Sequence, residues 1–207
     1  MSRDIAGVLE NYRRTGFKFN LGRYKLSLGK RTLVMGIVNL TPDSFSGDGL
    51  DGKSIGAVIE YALKLAKDGA DIIDLGGESS RPGAKPVLLK EELKRTIPII
   101  KRISRILKIP ISIDTCKPEV ARLALDNGAS IVNDITGLRN PVLAQICARY
   151  KAGVVIMHMK GTPRSMQKNP VYDSVMKEII EYLNNAIQTA LGAGIEKEKI
   201  IIDPGLG

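Results

Sequence analysis

Tryptophan is absent from the 207 residues, phenylalanine occurs only three times, and aromatic residues total 4%. A surface that grips nucleic acid by stacking has little to draw on. Two cysteines, Cys116 and Cys147, stand apart without a CxxC pattern. They exclude a disulfide scaffold and predict two free thiols in a reducing cytosol. No run approaches the roughly 18 uncharged apolar residues of a membrane span. The opening MSRDIAGVLENYRR lacks an apolar signal core, so a cytoplasmic setting is expected. What is present is ordinary for a globular fold: 43% hydrophobic and 26% charged residues.

Thirty-one basic residues against 22 acidic ones give a net charge of +9. Much of the excess is local, because residues 1–32 hold eight Lys/Arg and two acids. Aromatic and basic residues interleave there, as in Phe17-Lys18-Phe19 and Arg23-Tyr24-Lys25, but not beyond. The pattern predicts a solvated basic extension over 1–20 ahead of one domain over 21–207, and no nucleic-acid partner.

After residue 32 the pattern alternates. Apolar β-rich runs occur at 33–38, 71–75, 109–113, 130–132, 153–157 and 200–202. Helical patterns lie between them at 54–67, 89–107, 117–126, 141–150 and 173–191. Short strands that are apolar on both faces suit a buried parallel sheet, and strand–helix alternation means an α/β fold. Several helices stop at a glycine, as at Gly69, Gly128 and Gly194. Asn39, Asp74, Asp114, Asn133, His158 and Asp203 each stand at a predicted strand tip. No GxGxxG or Walker motif follows the first strand, so an open doubly wound sheet is disfavoured. A ring of polar strand ends suits the mouth of a (β/α)8 TIM barrel. Six βα units are present, two short of a closed barrel, which predicts a piece of a longer chain. Residues 21–32 read as a hairpin plugging the barrel floor.

Three motifs carry chemistry. In MGIVNLTPDSFSGDG, a Gly/Pro/Asp/Ser loop follows Asn39 and can close over a site, with Phe45 covering an apolar ligand. In DIIDLGGESSRPGA, two glycines admit close backbone approach and Arg81 offers a fork of donors to an anion. The third is the trio Asp114, Asn133 and Asp203. Two carboxylates and an amide converging on one pocket suit a flat heterocycle with several N–H groups. Taken singly, Asp114-Thr115 and Asp134 also read as helix caps.

Together these motifs resemble the dihydropteroate synthase family, in family order from about Gly22 to Gly207. The resemblance implies a (β/α)8 barrel. It also implies a transferase that joins 6-hydroxymethyl-7,8-dihydropterin pyrophosphate to p-aminobenzoate, giving 7,8-dihydropteroate and pyrophosphate. By the same resemblance Asn39 binds Mg²⁺ and the pyrophosphate region, and Asp43 and Phe45 belong to a mobile loop over the reacting centre. Ser80, Arg81 and Pro82 surround p-aminobenzoate. Asp114, Asn133 and Asp203 read the pterin edge, and Met157 lines its pocket. Asp74 and His158 are structural. The family's Lys after the seventh strand and Arg–His element at the eighth have no counterpart in residues 1–207, and the family's usual homodimer surface involves late helices. A non-catalytic pterin-binding homologue and a methyltetrahydrofolate-dependent corrinoid methyltransferase share the barrel. The TPDSF and SSRPGA segments favour the synthase.

Overall fold

The computed structural model describes residues 16–40, 55–79, 86–162, 165–166 and 170–206. An antiparallel hairpin comes first, β1 (Phe17–Leu21) and β2 (Tyr24–Leu28), joined by the two-residue turn Gly22-Arg23. Alternating units follow: β3 (Met35–Asn39), α1 (Ile55–Lys67), β4 (Ile72–Gly76), α2 (Leu89–Ile103), β5 (Ile111–Asp114) and α3 (Pro118–Asp126). The series continues with β6 (Ile131–Asp134), α4 (Pro141–Arg149), β7 (Gly153–Met157), α5 (Val175–Gly192), a 3-10 turn over Lys197–Lys199, and β8 (Ile200–Asp203).

All six later strands are parallel, in the spatial order β3-β4-β5-β6-β7-β8. Spatial order equal to chain order leaves no topological switch point, which separates this sheet from a doubly wound one. It is an arc of TIM-barrel wall with helices on its outer face.

Strand alternation sorts the apolar residues into two layers. Val38, Ile73, Leu75, Ile111, Ile113, Val132, Val154 and Ile156 pack outward against the helices. Ile72, Ile131 and Val155 face inward, where they meet Phe19, Leu21 and Tyr24 of the hairpin. The strands are therefore apolar on both faces because the hairpin fills the barrel floor. Gly153 makes this fit possible: a Cβ there would lie 2.5 Å from Phe19 Cζ and 2.6 Å from Leu21 Cδ2. The hairpin begins at Phe17 rather than at the expected residue 21. Phe17-Lys18-Phe19-Asn20-Leu21 has the period-two alternation of a strand with one buried face, and Phe19 and Leu21 are the buried positions.

Local sequence sets the helix ends. Prolines open α3 and α4, where a missing N–H costs nothing. Asn140 caps α4 by accepting from the Val142 N–H at 3.0 Å. The glycine stops behave as expected: Ala70, Ala129 and Ile195, each just past one, bond back to the carbonyls of Leu65, Ala124 and Ala190. Helix α2 ends at Ile103, not 107, because the N–H groups of Arg105 and Ile106 turn to carbonyls three residues back. No helix among the described residues is long and apolar enough to cross a membrane.

Candidate functional site

Register aligns four strand ends side by side: Asn39 opposite Gly76, Gly76 opposite Asp114, and Asp114 opposite Asn133. Met157 and Asp203 pair on the next two strands. Because side chains alternate along each strand, these residues share the inward face at the carboxyl end of the sheet. Asn39, Asp114 and Asp203 are the last residues of their strands. Asn133 is the last but one, and His158 follows β7 directly. Asp74 is not at a tip: it sits one inward position deeper than Gly76, in the body of β4.

The missing side chain of Gly76 shapes this row. A Cβ there would lie 3.4 Å from Asp114 Oδ2 and 3.5 Å from Asn39 Oδ1, so both polar groups lean over the glycine. Asn133 donates through Nδ2 to Asp74 Oδ2 at 3.2 Å, which leaves its amide oxygen and second N–H for the mouth. Asp203 Oδ1 accepts from the Gly205 N–H at 2.7 Å, and its carbonyl accepts from the His158 N–H at 2.8 Å. Asp203 is thus held at the backbone and at one carboxylate oxygen, and the other oxygen remains for a ligand.

The electrostatics follow from crowding. Burial first, and then the charges of Asp74, Glu92, Asp134 and Glu78, raise the Asp114 pKa well above the usual carboxylate range. Burial raises Asp74 too, opposed by the Ser112 hydroxyl and the Asn133 amide. Asp134 faces the helices instead; its oxygens accept from the Thr136 and Leu138 N–H groups, so it organises the turn after β6. It caps that turn and not helix α4, whose cap is Asn140. Burial raises the Cys116 thiol above its ordinary value and pushes Cys147 up to about 12. Neither thiol is a nucleophile at neutral pH. Burial lowers the His158 pKa, against a bond to the Pro204 carbonyl, and its ring packs edge-on against Tyr182 at 5.0 Å.

Asp43, Phe45, Ser80, Arg81 and Pro82 lie outside the described residues, as do most of the two loops that carry them. One group escaped the sequence reading. Glu92 on α2 is fully buried and joins Lys117, Thr115 and, through Lys117, Glu78. Glu91-Glu92 reads in sequence as two solvated helix acids. Only the meeting of α2 with the turns after β4 and β5 makes Glu92 internal.

A cleft of about 920 Å³ lies at the opposite end of the barrel, beside the hairpin turn. Of the five basic side chains that line it, Lys101, Arg105 and Lys151 stand at or just beyond the carboxyl ends of α2 and α4, where cations offset the helix dipoles, and Arg23 and Lys199 come from the hairpin turn and the 3-10 turn. The strand-end face is the candidate site.

A model of the pterin binding enzyme family matches residues 35–207. A dihydropteroate synthase of Synechocystis sp. is 46% identical over 90% of this chain and 65% of its own length. The Escherichia coli dihydropteroate synthase is 46% identical over 84% of this chain and 61% of its own. The chain therefore spans somewhat less than two thirds of these relatives. Among solved structures, Xanthomonas albilineans dihydropteroate synthase with 4-aminobenzoic acid superposes with a TM-score of 0.83 at 43% identity, covering 93% of this chain and 68% of that one. The Burkholderia cenocepacia enzyme complexed with 7,8-dihydropteroate gives 0.80 at 39%, covering 92% and 64%.

Proposed function

Since the chain belongs to the pterin binding enzyme family, we propose that the whole protein is a dihydropteroate synthase of the cytoplasm. The observation that carries this reading is the shared inward row of Asn39, Asp114 and Asn133 with Asp203 beside it. Two solved relatives, both longer than this chain, are in complex with 4-aminobenzoic acid and with 7,8-dihydropteroate.

The chemistry asked of these residues is positioning. The bond between the pterin methylene carbon and the diphosphate oxygen breaks, and its electron pair leaves with pyrophosphate. The aromatic amine nitrogen of p-aminobenzoate bonds to that carbon and releases one proton. Positive charge on the carbon spreads into the dihydropterin ring, so no side-chain nucleophile is needed, in keeping with thiols that stay protonated. Asp114 and Asp203 accept from the pterin N–H groups, and Asn133 both donates and accepts. Held at fixed distance, the two substrates react as if at high local concentration. Asp43 and Phe45, and Ser80, Arg81 and Pro82, are assigned to the p-aminobenzoate side by the family pattern.

The family pattern also implies Mg²⁺. Among the described residues no three His, Cys, Asp or Glu side chains cluster to cage a metal. A single amide oxygen at Asn39 is compatible with an ion that takes few protein ligands and completes its shell with water and substrate phosphate. When bound, such an ion neutralises charge on the leaving pyrophosphate.

The test is product formation by the full-length protein from 6-hydroxymethyl-7,8-dihydropterin pyrophosphate, p-aminobenzoate and Mg²⁺. Turnover that requires both substrates and ceases with EDTA is expected. Pterin binding without turnover would make it a non-catalytic homologue. Sizing by light scattering checks for the homodimer.

A further inference from the structure

The fully buried Glu92 carboxylate needs compensation, since an unpaired internal charge is strongly disfavoured. Its Oε1 accepts from the Thr115 hydroxyl at 2.6 Å, and its Oε2 from Lys117 Nζ at 2.5 Å. The same ammonium donates to Glu78, and the Lys117 N–H donates back to the Thr115 hydroxyl at 3.2 Å. One ammonium thus joins the turn after β4, helix α2 and the turn after β5. The chain at Gly77 is seized from the same side. A Cβ there would lie 2.8 Å from Glu92 Cγ and from Thr96 Cγ2, and Arg95 Nη1 donates to the Gly77 carbonyl at 3.0 Å. Thr115 directly follows Asp114, and Glu78 stands two residues before Ser80. A cavity of about 40 Å³ lies between these parts, lined by Glu78, Glu92, Asp114 and Thr115 among others.

We propose that Lys117, seated on Glu92, is a positioning residue that holds the start of the β4 loop at a fixed distance from Asp114. In the synthase reading, on which this inference rests, Asp114 belongs to the pterin side and the β4 loop to the p-aminobenzoate side. The ammonium then sets the spacing between two subsites without touching either substrate. Glu78 is its outer arm and is only partly buried, so neutralising it loosens the loop while the Lys117–Glu92 pair remains inside.

The experiment uses the full-length protein and the variants Glu78→Gln, Lys117→Arg and Lys117→Met. Glu78→Gln is expected to raise KM for p-aminobenzoate about tenfold, the scale of one charge-assisted hydrogen bond. KM for the pterin pyrophosphate and kcat should stay within about twofold of wild type. Amide exchange at 77–79 should be faster. Lys117→Arg keeps the charge and should retain the wild-type KM, whereas Lys117→Met strands Glu92 and is expected to lower Tm sharply. A Glu78→Gln protein with wild-type KM ratios and wild-type exchange at 77–79 would overturn the proposal, whatever its Tm. If the wild-type protein forms no product, the synthase reading fails, and exchange at 77–79 still decides whether the clamp exists.

Discussion

At the scale of single residues, the site places function against stability. Asp114 is raised first by burial and then by four neighbouring carboxylates. A carboxyl that holds its proton more tightly folded than unfolded contributes stability below the unfolded pKa. That contribution is lost as pH rises through the raised folded value. Above the unfolded carboxylate range, Asp114 therefore works against folding. Asp114→Asn is expected to raise stability at pH 7 in urea titrations, with the gain shrinking as pH falls through the raised folded pKa and gone below about 4, while pterin affinity drops. Asp203→Ala is expected to weaken pterin binding by about 2–3 kcal/mol in calorimetry, because donors of a buried heterocycle lose their partner. Asn39, Asp114, Asn133 and Asp203 were legible because each interrupts an apolar run with a polar residue. Asp74 has the same signature yet lies deeper in the strand, since sequence shows that an apolar run ends but not which register its neighbour adopts. Glu92 was illegible for a related reason: its burial depends on three separate elements meeting.

At the scale of elements, the hairpin is the part that sequence alone misplaced. Phe17-Lys18-Phe19 reads as an aromatic-spiked basic arm until the inward faces of β4, β6 and β7 supply something for Phe19 to cover. Phe19 is only 1% exposed, and Phe19→Ala should cost about 3–5 kcal/mol in urea denaturation. Gly153→Ala pushes a methyl into the Phe19 ring and should cost about 1–3 kcal/mol by overpacking. In the Phe19→Ala background that second cost should shrink, because the two sites share one contact. Additive effects would mean that the plug does not rest on β7. The parallel units themselves were readable to within two residues at every limit except the end of α2, because glycine stops are local signals that need no tertiary partner.

At the scale of the whole molecule, β3 and β8 end the sheet among the described residues, and each shows an apolar side chain there: Ile37 is 56% and Ile202 50% exposed. Unpaired strand edges template association. A polypeptide limited to residues 1–207 is therefore expected to self-associate in light scattering and to form no dihydropteroate above background. A monodisperse, active product would show that these edges are harmless and that the groups handling pyrophosphate all lie within the 207 residues. The order of the strands has a further consequence, for synthesis on the ribosome. Each of β4 to β8 pairs with the strand made just before it, so every newly emerging unit finds its docking edge already in place. Growth of this kind needs only short loop closures and suits a chain that folds from its amino end. The hairpin is the exception to this vectorial order: translated first, it must wait for β7, well over a hundred residues later, before Phe19 can settle over Gly153.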